Sequence, residues 1–303
     1  SLTGNGLEFV FIRNRAFNQP LDNWDTSNIT SLYRTFYEAT AFNNDITSSW
    51  DVSKVTNFKD SFYRATSFNQ NLNTWNVSSG SNFVSMFNGC TSFNQPLNNW
   101  DMGAATNLLA MFAGCTSFNQ NLNTWDISNV TNIGLLFFQC TSFNQPLNNW
   151  DTSNVTNMQQ TFHQAINFDQ DISGWDVSSV TNFSNMFTDT RVFNIDISGW
   201  DIGSATTLQE MFLRTGLSSN QGNQGFDQNI GSWDISNVTT CHRMFRNAYG
   251  FSDENWSNLL IGWAAQAPNI QSNVSIEANL QQYSGSIASS ARNLLTGTYG
   301  WTI

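Results

Sequence analysis

The chain has 303 residues and a formal net charge of −11 at pH 7, with only 11% charged side chains, well below the usual quarter. Lys and Arg are absent from Ala65 to Thr190, so the middle of the chain has no cations to displace counterions from a phosphate backbone or to hold an anionic lipid surface. No apolar run approaches the length of a membrane span. These features exclude nucleic acid and membrane insertion from the expected partners.

The first 23 residues carry Leu7, Phe11, Phe17 and Leu21, which fit the later part of a pattern that repeats down the chain. The sequence therefore reads as starting inside a repeat, and part of a longer chain is the expectation.

From there tryptophan recurs at 24, 50, 75, 100, 125, 150, 175, 200 and 233; six of the eight intervals are 25 residues, and the others are 26 and 33. Counting from each Trp as zero, the unit reads W-D-x-S-x-V-T-N. An apolar residue follows at +8, Phe at +12, a small residue at +15, Phe-Asn at +18 and +19, and Leu or Ile at +22. The +12 and +18 columns hold 18 of the 25 Phe residues. So large and constant an apolar group is expected only at stacked, inward-facing positions. A fixed period of this length predicts a solenoid. The FNQxL segment predicts a strand, with Phe and Leu on one side. The Thr of VTN sits at a helix N-cap position, and the apolar residues after it predict a short helical or 3-10 segment. The expected fold is an α/β repeat solenoid, a leucine-rich-repeat-like stack with one parallel sheet. About ten coils fill residues 1–251.

The 33-residue interval holds a surface-loop insertion at 216–225, rich in Gly, Ser, Asn and Gln. Residues 252–303 break the period and predict a C-terminal cap over the last coil. Ser252 caps an expected helix through Trp256, Leu259, Leu260 and Trp263. Val274, Ile276 and Trp301–Ile303 read as short strands, and Gly297 as the end of a second helix holding Leu294 and Leu295.

The block WDISNVTNIGLLFFQCTSFNQPLNN (125–149) shows the unit whole. This unit, with LLIGWAAQ (259–266), Tyr283, Arg292 and the closing GWTI (300–303), resembles the BspA-like branch of leucine-rich repeats. The likeness covers essentially the whole chain. It implies surface display, adhesion and host or matrix contact, and such repeats also occur in viral proteins. No catalytic residue comes with it.

Three polar columns carry the candidate chemistry. Asp follows Trp at 25, 51, 101, 126, 151, 176, 201 and 234. Stacked carboxylates repel unless neutralised. Calcium between coils is one solution, and a turn in which each Asp accepts backbone N–H groups is the favoured one. Asn at +19 predicts an amide ladder from coil to coil. Gln at +20 (Gln70, Gln95, Gln120, Gln145, Gln170) should alternate outward. With Asn73, Asn98, Asn123 and Asn148 at +23 it makes the candidate ligand-binding face, for glycan or protein. Cys90, Cys115 and Cys140 share the +15 column with Ala and Thr, and Cys241 shares the +8 column with Leu, Ile and Met. All four read as reduced core thiols. His163 and His242 occupy different repeat positions and read as surface residues.

No cofactor, metal site or catalytic set stands out, so an enzyme is not expected. The sequence predicts an extracellular or cell-surface (or virion-surface) binding and adhesion solenoid, with glycan or protein as partner at a cell surface or in matrix. A structural spacer or appendage segment of a phage or viral fibre is the alternative, and an ice-binding face a minor one.

Overall fold

The computed structural model describes residues 6–216, 225–278 and 280–303. The chain forms two compact units, Ser1–Asn154 and Val155–Ile303.

In the first unit the apolar columns make the core. Trp50, Trp75, Trp100, Trp125 and Trp150 are buried, as are both Phe columns. Within a repeat the two Phe rings stack closely, at 4.3 Å for Phe87–Phe93 and Phe112–Phe118. Between repeats the +12 rings follow at 5.7 Å (Phe87–Phe112) and 6.0 Å (Phe112–Phe137). Each ring thus has an aromatic neighbour within its repeat and in the next, in the offset geometry aromatic pairs prefer. The indole N–H of Trp100, Trp125 and Trp150 donates to Leu72, Leu97 and Leu122 carbonyls at 2.9 Å. Trp75 lacks such a bond. The carbonyl in matching position belongs to Ile46, in the repeat that is one residue longer.

The segment from +8 to +15 differs from the short helix expected. Its N–H groups alternate in direction. Phe58, Asp60, Phe62 and Arg64 donate to the next repeat, at Asn82, Val84, Met86 and Asn88. The intervening Ser61, Tyr63 and Ala65 donate three residues back along their own chain. An α-helix would spend every N–H internally. Sharing half of them outward turns the chain left-handed at every fourth residue. Positive φ recurs at +10 (Asp60, Ser85, Ala110, Leu135) and +14 (Arg64, Gly89, Gly114, Gln139).

The described residues place no strand in the FNQxL segments. Parallel pairing falls instead at isolated bridges on the +7 column, Ser31 to Asn57, then Asn82, Asn107 and Asn132. There Asn Oδ1 also accepts the N–H two residues on, as from Lys59 to Asn57 at 3.1 Å.

The second unit repeats the plan. Asn157, Asn182, Thr207 and Thr240 bridge in parallel, and positive φ recurs at Gln160, Asn185, Glu210 and Arg243. Of the insertion at 216–225, residues 217–224 lie outside the described ones. After the last repeat, α1 (Asp253–Ala264) is capped by Ser252 Oγ, which accepts the Asn255 N–H at 3.2 Å. It buries Trp256, Leu259, Leu260 and Trp263. Trp263 Nε1 reaches the Ile230 carbonyl at 3.3 Å, the bond a repeat Trp makes. A Cβ on Gly262 would fall 2.1 Å from the Gly231 oxygen, so only Gly allows the helix this approach. The second helix, α2 (Gly285–Thr298), buries Ala288, Ala291 and Leu295 and runs on through Gly297. Cys241 bridges Ile276, and Ser275 bridges Thr302.

Candidate functional site

The Asp column is built into local turns. Asp126 Oδ1 accepts the Ser128 N–H at 3.0 Å and its hydroxyl at 2.7 Å, and Asp176 does the same with Ser178. Asn76 makes the same pair of bonds with Ser78, so the position needs an acceptor and not a charge. Where Gly103 and Gly203 replace Ser, the backbone bond alone remains, at 3.0 Å. Serine hydroxyl and backbone N–H groups hold the carboxyls of Asp25, Asp51, Asp126 and Asp176 below the usual range. Among the described residues no group of three or more His, Cys, Asp and Glu side chains is placed to hold a metal ion.

The +19 Asn side chains form a ladder. Oδ1 of Asn43, Asn69, Asn94 and Asn119 accepts the backbone N–H of Asn69, Asn94, Asn119 and Asn144, at 2.8–3.0 Å. In the second unit Asn194 accepts from Asp227 at 2.8 Å, and Asp227 in turn accepts from Ser252 at 2.8 Å.

The Gln side chains join that ladder. Nε2 of Gln95, Gln120 and Gln145 donates to Oδ1 of Asn69, Asn94 and Asn119, at 3.1, 2.9 and 3.1 Å. Gln70 reaches the Asn43 carbonyl at 2.7 Å. All four, and Gln170, are half-buried. The outward swing read from the sequence gives way to a bend back along the repeats, because the upstream amide oxygen offers a second bond.

The +23 row lies further out. Asn73 Nδ2 donates to Asn98 Oδ1 at 3.2 Å, and Asn123 to Asn148 at 3.0 Å. Asn73 and Asn123 also accept the N–H of Asn99 and Asn149 at 2.9 Å. Asn98 and Asn148 are exposed, with their amides held toward Asn99 and Asn149.

Cys90, Cys115, Cys140 and Cys241 are free and buried. The first three donate S–H to the Phe62, Phe87 and Phe112 carbonyls at 2.9–3.0 Å. Burial pushes all four thiols well up, which leaves them poor nucleophiles. His163 and His242 are half-buried; burial lowers the His163 pKa.

One cluster was not singled out from the sequence. On the turn face of the first unit, Tyr33, Tyr37 and Tyr63 line up with Arg34, Lys59 and Arg64. Tyr37 and Tyr63 stack at 4.6 Å. Arg34 lies about equally over Tyr33 (5.0 Å) and Tyr37 (5.1 Å) and bonds Asp60 at 3.0 Å. A signal was there to read: six of the chain's 11 cations precede Ala65, and five of these fall between +9 and +16 of their repeats.

In-register ladders of this kind define a tandem repeat protein. The model of the family described as "Mycoplasma protein of unknown function, DUF285" matches residues 5–125, 106–224 and 217–283. These successive matches span most of the chain, which belongs to that family. Neither a curated protein nor a solved structure matches it.

Proposed function

We propose that the chain is a non-enzymatic binding and adhesion module, displayed at a cell surface, that takes glycan or protein on its repeat face. On this reading its architecture is a leucine-rich-repeat-like solenoid of the BspA-like type. The observation that carries it is the outer amide row. Asn98 and Asn148 are exposed, yet their amides are fixed by Asn73, Asn99, Asn123 and Asn149. Ordered, uncharged donors and acceptors at repeat spacing suit hydroxyl-rich or peptide ligands, because their orientation is set before the ligand arrives.

The intact chain, screened on an array of neutral glycans and matrix proteins, tests this. Capture that is lost in N98A/N148A, with the melting temperature kept, is the expected result. Capture of nothing on the array would contradict it and favour a structural spacer.

A further inference from the structure

We propose that the Arg13–Arg15–Arg64 face of the first unit is a second binding site, for acidic carbohydrate: a sugar carrying a sulfate or carboxylate group. The chain is strongly acidic overall, so a local surplus of cations runs against its composition. Here two guanidiniums share one carboxylate and a third lines the same groove. Arg15 Nη2 lies 3.0 Å and Arg13 Nε 3.8 Å from Glu38 Oε2. Arg64 sits over the Tyr63 ring at 5.3 Å and makes no ion pair among the described residues. Arg13 and Arg15 remain 70% and 69% exposed, so most of their N–H groups are open to a ligand.

The face holds a shallow groove. Arg15, Glu38, Thr40, Arg64, Thr66 and Gly89 line a groove of about 450 Å³, within the range of small-ligand sites. Arg64 is held by its left-handed backbone (φ 54) and by the bond from its N–H to the Asn88 carbonyl. Its stem crosses Gly89, where a Cβ would meet Arg64 Cγ at 2.9 Å. The absent side chain thus leaves room both for the guanidinium and for the groove.

The donor and acceptor set points to a sugar. Guanidinium forks bind sulfate or carboxylate oxygens bidentately. Thr40 and Thr66 hydroxyls donate to the Arg15 and Thr40 carbonyls at 3.3 and 3.4 Å. Their lone pairs, and the Glu38 carboxylate, are left to accept from sugar hydroxyls. A nucleic-acid backbone of phosphodiesters has no hydroxyl donors to offer those acceptors. It also needs a track of cations, and after Arg64 the first unit has none.

The test uses the intact chain over immobilised dextran sulfate, polygalacturonate, neutral dextran and single-stranded DNA. Binding to the first two, weakening as salt rises from about 50 to about 300 mM, is expected, with neutral dextran and DNA left unbound. R13S/R15S/R64S should weaken binding at least about tenfold. R15K/R64K, which keeps the charge and loses the forks, should fall between, and R214S in the second unit should match the wild type. Unchanged binding by the triple variant at intact melting temperature would overturn the proposal, as would equal binding of DNA. Capture of neutral glycan on the outer amide row should survive the triple variant, so the two sites fail separately.

Discussion

At the scale of single residues, the polar columns build the repeat-to-repeat contacts. Gln95, Gln120 and Gln145 build, because each donates to an upstream Asn oxygen. Q95E/Q120E/Q145E replaces three donors by acceptors facing acceptors. Each lost bond costs about 0.5–1.5 kcal/mol, so urea unfolding should show a combined loss of roughly 2–4 kcal/mol. A loss under about 0.5 kcal/mol, as for free surface positions, would place these side chains in solvent. The +19 position needs only an oxygen, as Asp227 shows. N119D should therefore stay near wild-type stability at pH 7. N119L strands the Asn144 N–H and should cost about 1–3 kcal/mol.

At the scale of the repeat element, the left-handed residues govern stability. Ala110 has φ 56, a conformation that costs an L-residue roughly 1–2 kcal/mol. A110G should be neutral or stabilising by up to about 1 kcal/mol, where the same change in an ordinary helix costs about that much. G89V combines positive φ with the Arg64 contact and should lower the thermal midpoint clearly; equal midpoints for both variants would argue against the turn geometry. The thiols add a pH dependence. Burial raises the Cys90, Cys115 and Cys140 pKa values, while in the unfolded chain these groups ionise near pH ~8.5. Below that pH both states hold the protons and stability is full. Above it only the unfolded state releases them, so stability falls as pH rises. Unfolding free energy should drop between pH ~8 and ~10, and C90A/C115A/C140A should flatten most of that slope. A slope the triple variant leaves intact would mean that these thiols ionise in the folded protein.

The same elements show what the sequence made legible. Burial recurs in the sequence as Phe and Trp columns, because only large apolar groups fill those slots. The Asx turns were readable for a similar reason, since Asp, Asn and Ser have few other local uses. The left-handed positions were hidden. They hold Arg, Glu, Ala, Leu and Gln as well as Gly89 and Gly114, so the requirement lies in shared backbone hydrogen bonds and not in residue type. The inward bend of the Gln row was hidden too, because strand alternation says nothing of a side chain long enough to reach its neighbour.

At the scale of the whole molecule, the polar ladders reappear in both units although the residues that carry them vary. Asn119 serves in the first unit, and Asn194 and Asp227 in the second. The Trp263 indole extends the register into the cap. The central claim is that side-chain amides tie successive repeats together. Amide hydrogen exchange of the intact chain, read at Asn94, Asn119 and Asn144, tests it most directly. All three N–H groups should be strongly protected, and N119L should release Asn144 while the remote Asn194–Asp227 pair of the second unit stays protected. Exchange of Asn94, Asn119 and Asn144 at the rate of open loops would contradict the account.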